Sequence, residues 1–230
     1  MEAIVLAGGF GTRLKQVVQD VPKPMAPING HPFLEVLLTT LASKGFKRVV
    51  LSLGHMADKI SHHFGNHFAD LELIYEIETT PLETGGAIRS ALSHCKNDHA
   101  FIFNGDTYLD LEAVEIESLW KKSQQPIIVA CEVADRSRYG GLKIKNNHVI
   151  GFLEKGQSGK GLINAGCYLL PTHILDHFPL GQKFSLENEF LTPAVLDQPF
   201  QVFITQGQFI DIGIPEDYSR AQTLLAKVLE

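Results

Sequence analysis

The chain has 230 residues, 44% of them hydrophobic and 20% charged, and a formal net charge of −6. Such a length and composition suit one soluble globular domain over 1–230 with a sizeable core. The negative balance argues against a nucleic-acid backbone as partner, so any polyanionic ligand must be met by locally placed positive charge. Cys95, Cys131 and Cys167 are isolated in apolar surroundings and read as buried, reduced thiols. Glu2 runs directly into an apolar strand, which is not the pattern of a secretory leader. No stretch approaches the ~20 apolar residues that span a bilayer. The expected compartment is the cytoplasm, with no membrane partner, and a homo-oligomer stays open.

Ala3 to Ala7 forms a short apolar run that reads as a buried strand. A helix follows from about Phe33 to Gly45, with Phe33, Leu37, Leu38 and Leu41 on one face. Next come a strand at Arg48–Leu53, a short helix at Met56–Phe64 and a strand at Leu71–Ile77. Thr84–Cys95 reads as a helix, Ala100–Phe103 as a strand, and Leu111–Lys122 as a helix. This alternation predicts an α/β fold with a mainly parallel sheet. After Pro126 strands dominate, at Ile127–Val133, Gly141–Lys145, Val149–Glu154 and Leu162–Leu170. Helices return at Thr172–Phe178, Ser185–Leu196 and Pro215–Leu229. The expected architecture is a single Rossmann-like domain with a mixed sheet. Its first, mainly parallel half runs over about 1–125, and its β-rich second half over about 126–230.

The first strand runs into Gly8-Gly9-Phe10-Gly11-Thr12-Arg13. Glycines at 8, 9 and 11 let backbone N–H groups crowd round an anion. Arg13 adds a rigid fork of donors suited to phosphate oxygens. Ten residues later, Pro22 and Pro24 hold Lys23 on a stiff, non-helical segment. Together these residues predict a nucleoside triphosphate site at the carboxyl end of the first strand. The dinucleotide fingerprint is excluded because Leu14 stands where its third glycine belongs. A P-loop is excluded because no Gly-Lys-Ser/Thr closes the loop.

Two strand ends carry an aspartate. Asn104-Gly105-Asp106 follows one apolar run, and Phe209-Ile210-Asp211-Ile212-Gly213 is another. A carboxylate at a strand's carboxyl end lies where α/β proteins bind ligands. Asp211 sits among apolar neighbours and would be costly to bury without a cation. Two carboxylates with substrate phosphates are a usual way to hold Mg²⁺. Glu83-Thr84-Gly85-Gly86-Ala87 opens a helix, whose N-terminus favours anions. His62, His63 and His67 have no acidic or thiolate companion and read as a solvated face.

LAGGFGTRL followed by PKPMAPING resembles the sugar-1-phosphate nucleotidylyltransferases, whose usual opening is GGxGTRLxPLTxxxPKP. Gln16 and Val18 depart from that pattern, between the two phosphate elements. Within the family, the overall likeness is to the branch that transfers guanylate to a heptose 1-phosphate. No individual residue selects guanine or heptose. Another sugar or base, and a catalytically silent nucleotide-sugar sensor, remain open alternatives. The resemblance implies a nucleotide site formed by Leu6, Ala7, Gly8, Gly9, Gly11, Thr12, Arg13, Lys23, Glu78, Gly85 and Asp106. It implies Mg²⁺ on Asp106 and Asp211. Phe152-Leu153-Glu154-Lys155 is similar to the family's F-x-E-K-P, with Gly156 in place of proline. That similarity implies a sugar-phosphate site made of Gly141, Glu154, Lys155 and Asn164. The implied substrates are a nucleoside triphosphate, GTP, and a sugar 1-phosphate, and the products NDP-sugar and pyrophosphate. The attacking phosphate is already an anion, so catalysis reduces to alignment and charge neutralisation. Arg13 and Lys23 are the implied catalytic cations.

Overall fold

The computed structural model describes residues 1–9, 14, 18 and 21–228. Its first half holds β1 (Glu2–Leu6), β2 (Pro27–Ile28), β3 (His31–Pro32), α1 (Phe33–Ser43), β4 (Arg48–Leu53) and α2 (Ala57–Phe64). There follow β5 (His67–Phe68), β6 (Leu71–Ile77), α3 (Glu83–Leu92), β7 (His99–Asn104), β8 (Thr107–Leu109) and α4 (Ala113–Ser123). The second half holds β9 (Ile127–Val133), β10 (Gly141–Lys145), β11 (His148–Leu153), β12 (Gly161–Pro171), α5 (Thr192–Asp197), β13 (Phe200–Thr205), β14 (Phe209–Asp211) and α6 (Pro215–Leu224).

Ten strands form one mixed sheet in the order β10-β11-β13-β9-β12-β7-β1-β4-β6-β5. Strands β6, β4, β1 and β7 run parallel, and β1, β4 and β7 are buried almost throughout, as in strands covered on both faces. Strand β12 lies antiparallel to both β7 and β9, and so joins the two halves of the chain in one sheet. Successive residues of β1 serve opposite layers. Ala3 and Val5 join the core with Phe33, Leu38, Ile116 and Trp120, whereas Ile4 joins Ile88, Leu92, Phe184 and Phe190. The result is an α/β/α sandwich with the sheet as its middle layer.

The structure differs from the sequence reading at several elements. Thr172–Phe178 forms consecutive turns, closed by Ile174 N–H to Pro171 O and Phe178 N–H to Leu175 O, in place of a helix. Pro171 and Pro179 bracket too few residues for a stable helix. Ser185–Leu196 is divided into a π-helical turn at Leu186–Leu191 and α5. Strands β2, β3, β5, β8 and β13 have no counterpart in the sequence reading, the first four because they are only two or three residues long. Lys23–Met25 is one turn of 3₁₀ helix, although Pro22 before it is extended as expected. Cys131 and Cys167 are buried, Cys95 is half-buried, and all three are free thiols. Burial pushes the Cys131 thiol up to about 12.

Candidate active site

The carboxyl ends of β1, β4 and β7 open onto a cavity of about 420 Å³. Leu6, Ala7, Gly8 and Gly9 supply one wall, directly after β1. Gly105 N–H donates to Leu6 O at 2.9 Å and draws the two chain segments together at this wall. A Cβ on Gly105 would stand 2.5 Å from that same carbonyl oxygen. Gly11, Thr12 and Arg13 lie outside the described residues.

Lys23 enters the cavity from its 3₁₀ turn and reaches Asp106, 83 residues away in sequence. Lys23 Nζ lies 2.5 Å from Asp106 Oδ2, with the lysine side chain only 10% exposed. A mostly buried ammonium against a carboxylate needs this pairing to offset its desolvation.

Asp106 and Asp211 meet through a small second sheet. Strand β14 pairs antiparallel with β8, and Asp211 stands opposite Thr107, the neighbour of Asp106. Ile212 N–H donates to Asp106 O at 3.0 Å and closes the ladder. Burial pushes the Asp211 carboxyl above its ordinary range, and the Asp106 charge adds to that. Lys23, Arg138 and the Gly213 N–H, which donates to Asp211 Oδ1 at 2.6 Å, offset part of the rise. This pair of hard oxygen donors, held in mutual repulsion beside a lysine, fits a divalent cation.

Glu78 lines the same cavity. Its Oε2 accepts from Leu82 N–H at 2.9 Å, and its Oε1 accepts from the Ser52 hydroxyl at 3.4 Å. Gly85 lies behind the wall, which is made by its neighbours Thr84 and Ala87. A Cβ on Gly85 would stand 2.2 Å from the Phe184 ring, so packing requires this glycine.

The four residues of the implied sugar site do not line this cavity. Gly141 is buried opposite Leu153 where β10 meets β11. Glu154 and Lys155 are exposed in the turn after β11. Asn164 Nδ2 donates to the Tyr168 hydroxyl at 2.8 Å, and its Oδ1 accepts from Gly166 N–H at 3.1 Å. Gly166, at φ +67°, packs on Asn104, which does line the nucleotide cavity. The bulge in β12 thus connects the Asn164 segment to the cavity.

Several residues of this site escaped the sequence reading. Ser52 is the one polar residue in the run Val49–Leu53, which was its only signal. Glu83 and Lys183 line the cavity and form an ion pair at 3.2 Å. Asp217, in the first turn of α6, is buried and pairs with Arg138 and Arg220. The Arg138 guanidinium stands 5.4 Å from the Tyr139 ring centre, and Tyr139 meets Phe209 edge-on at 5.7 Å. Phe209 begins β14, so this chain of contacts braces the strand that carries Asp211. Among the described residues no three His, Cys, Asp or Glu side chains cluster as a metal site, and no helix is long and apolar enough to cross a membrane.

Residues 2–228 match the family described as "Nucleotidyl transferase", and the chain belongs to it. Over 220 residues it is 41% identical to the D-glycero-alpha-D-manno-heptose 1-phosphate guanylyltransferase of Campylobacter jejuni, covering 95% of this chain and 97% of the relative. The enzyme of the same name from Aneurinibacillus thermoaerophilus is 39% identical over 226 residues, covering 96% of this chain and 97% of the relative. The crystal structure of HddC from Yersinia pseudotuberculosis complexed with GMP-PN superposes with a TM-score of 0.87 at 41% identity, covering 97% of this chain and 98% of that one.

Proposed function

We propose that this chain transfers guanylate from GTP to D-glycero-α-D-manno-heptose 1-phosphate, giving the GDP-heptose and pyrophosphate. The observation that carries this reading is the cavity at the β1, β4 and β7 ends, with Lys23 and Asp106 paired in its wall and Asp211 beside them. The near full-length identity to two enzymes of that name supports the choice of base and sugar. The guanine nucleotide analogue named in the HddC complex supports GTP as donor.

In this reading the triphosphate lies along Gly8 and Gly9, with Lys23 neutralising charge at the α-phosphate. Arg13 steadies the departing pyrophosphate. Lys155 holds the sugar phosphate, whose oxygen attacks in line with the leaving group. Glu154 and Asn164 take hydrogen bonds from sugar hydroxyls, and Gly141 leaves room for the ring. No general base is needed, because the nucleophile is already an anion. Asp106 and Asp211 would hold Mg²⁺, which when bound supplies charge neutralisation to the phosphates. Lys23 must then share Asp106, and its short stiff turn keeps it within reach. The free thiols of Cys95, Cys131 and Cys167 support a reducing, cytoplasmic setting.

The test is pyrophosphate release from each nucleoside triphosphate against a panel of sugar 1-phosphates. GTP with the heptose 1-phosphate should give the highest kcat/KM. Binding of the nucleotide without turnover on any sugar would favour the silent sensor.

A further inference from the structure

Asp211, Lys23 and the segment entering Gly141 belong to three parts of the chain, and α6 is tied to all three. It starts at Pro215, four residues after Asp211. Its Tyr218 hydroxyl donates to Pro27 O at 2.5 Å, and Gln222 Nε2 donates to the same oxygen at 2.9 Å. Pro27 stands two residues beyond the turn that carries Lys23. The residue before Tyr218 is Asp217, whose side chain is 8% exposed and pairs with Arg138. Adjacent residues of α6 thus hold the Lys23 segment and the loop that follows β9.

The backbone of that loop is bonded elsewhere, within the second half of the chain. Arg136 N–H donates to Gly159 O, Gly156 N–H to Ser137 O, and Asn164 N–H to Gly140 O. The Asp135 carboxylate accepts from Ser137 and from Gly159 N–H. Among the described residues, Arg138 on Asp217 is the polar contact that joins this loop to α6. Tyr139 on Phe209 is its apolar companion to β14. Arg220 also reaches Asp217, at 3.4 Å, but from the same helix, so it ties no second segment. A buried ion pair is a poor source of net stability, because desolvation offsets the attraction. Its best attested use is to fix register, and here it fixes one loop against one helix.

We propose that Arg138 is a positioning residue for the transfer step: through Asp217 it sets the Tyr139–Gly141 segment against Asp211 and Lys23, so that the two substrates meet in line. This rests on the reading that places the sugar at Gly141 and Asn164 and the triphosphate at Lys23. In that reading the attacking oxygen and the α-phosphorus are held by different halves of the chain. In-line attack needs the reacting atoms about 3–3.5 Å apart, and a misplacement of about 1 Å costs on the order of 10²-fold. Asn164 N–H holds Gly140 O at 3.1 Å, so the position of the loop is passed on to the Asn164 segment. Arg138 itself touches neither substrate. It acts on the alignment of the two and not on the binding of either.

The experiment compares wild type with Arg138→Met and with Arg138→Met/Asp217→Asn. Single-turnover transfer is timed with GTP and the heptose 1-phosphate both saturating, well below every melting point. Each substrate is also titrated by calorimetry. Arg138→Met should slow single turnover by roughly 10–100-fold. Its Kd for GTP and for the sugar 1-phosphate should each stay within about twofold of wild type. Arg138→Met leaves the buried Asp217 carboxylate with Arg220 alone and should melt lower than wild type. The double variant has no buried charge there, so its melting temperature should return towards wild type while its rate stays low. A single-turnover rate of Arg138→Met within about threefold of wild type overturns the proposal. Recovery of the rate together with the melting temperature in the double variant also overturns it, and leaves the pair a structural role only. So does a loss confined to the Kd of one substrate, which would mean direct contact with that substrate. A wild type that transfers nothing to the sugar 1-phosphate refutes instead the reading on which the proposal rests.

Discussion

Replacing Lys23 with alanine tests the centre of the site. The ammonium lies 2.5 Å from Asp106 Oδ2 and is 10% exposed. At an effective dielectric of ~20, the gross attraction over that distance is about 7 kcal/mol. Desolvation of the pair offsets most of it, and the net loss on truncation is about 1–3 kcal/mol. For a chain of this length each kcal/mol moves Tm by about 2–4 °C, so Tm should fall by roughly 2–12 °C. Turnover should fall much further, by roughly 10²–10³-fold, as when one preorganised charge-stabilising donor is lost. The assay is steady-state pyrophosphate release at saturating substrates, at a temperature well below both melting points. Asp106 left alone would face Asp211 without its counterion. The double variant Lys23→Ala/Asp106→Asn should therefore recover part of the melting loss and none of the activity. Turnover within about threefold of wild type, together with the expected melting loss, would make Lys23 a structural counterion and remove it from the chemistry.

Asp211→Asn keeps the shape that accepts from Gly213 N–H but removes a carboxylate whose pKa is raised by burial and by Asp106. A raised folded-state pKa favours the native state at low pH and loses that advantage as pH climbs through it. The metal-free Asn variant should therefore melt at or above wild type at pH 7, and that advantage should shrink on acidification through the carboxylate range. A pH-independent difference in melting would contradict the assignment, and turnover of the variant should collapse in any case. Lys155→Ala should weaken the sugar 1-phosphate more than GTP in separate titrations, and the reverse order would put Lys155 at the wrong substrate. Chelation should abolish turnover, with Mg²⁺ restoring it, whereas full activity in excess chelator would exclude a metal on Asp106 and Asp211. Gly166→Ala must accept φ +67° and a Cβ 2.3 Å from Asn104 Nδ2. Calorimetry should show a loss of about 2–4 kcal/mol, and a neutral change would mean that the β12 bulge relaxes freely.

The central strands were legible because burial on both faces leaves a plain mark. Strands β4, β6, β9 and β10 fall at the residues that the apolar runs indicate, and β1 is shifted by one residue. Strand β13 was missed because its run of six residues, Phe200–Thr205, is short and broken by Gln201. At the site, residue types were readable and contacts were not. Lys23 and Asp106 stood out separately, but their pairing depends on a fold that spans 83 residues. Lys183 and Arg138 lie in polar loops with no flanking pattern. Glu83 looked like ordinary helix-entry sequence, since a left-handed backbone at a non-glycine residue leaves no trace in composition. Gly85 stands in the helix entry that the sequence marks, but the Phe184 ring that requires a glycine there comes from a distant segment that sequence alone does not bring to it.

The ladder between β8 and β14 bears on how the protein is made. Strands β1, β4, β6 and β7, with the turn that carries Lys23, all lie before residue 105, whereas β14 ends at Asp211. A ribosome adding about 5–20 residues per second needs roughly 5–20 s to travel from Asp106 to Asp211. Throughout that interval the nascent chain carries the strand-end wall of the nucleotide cavity and only one of the two aspartates. Competence for transfer is therefore among the last properties the chain acquires.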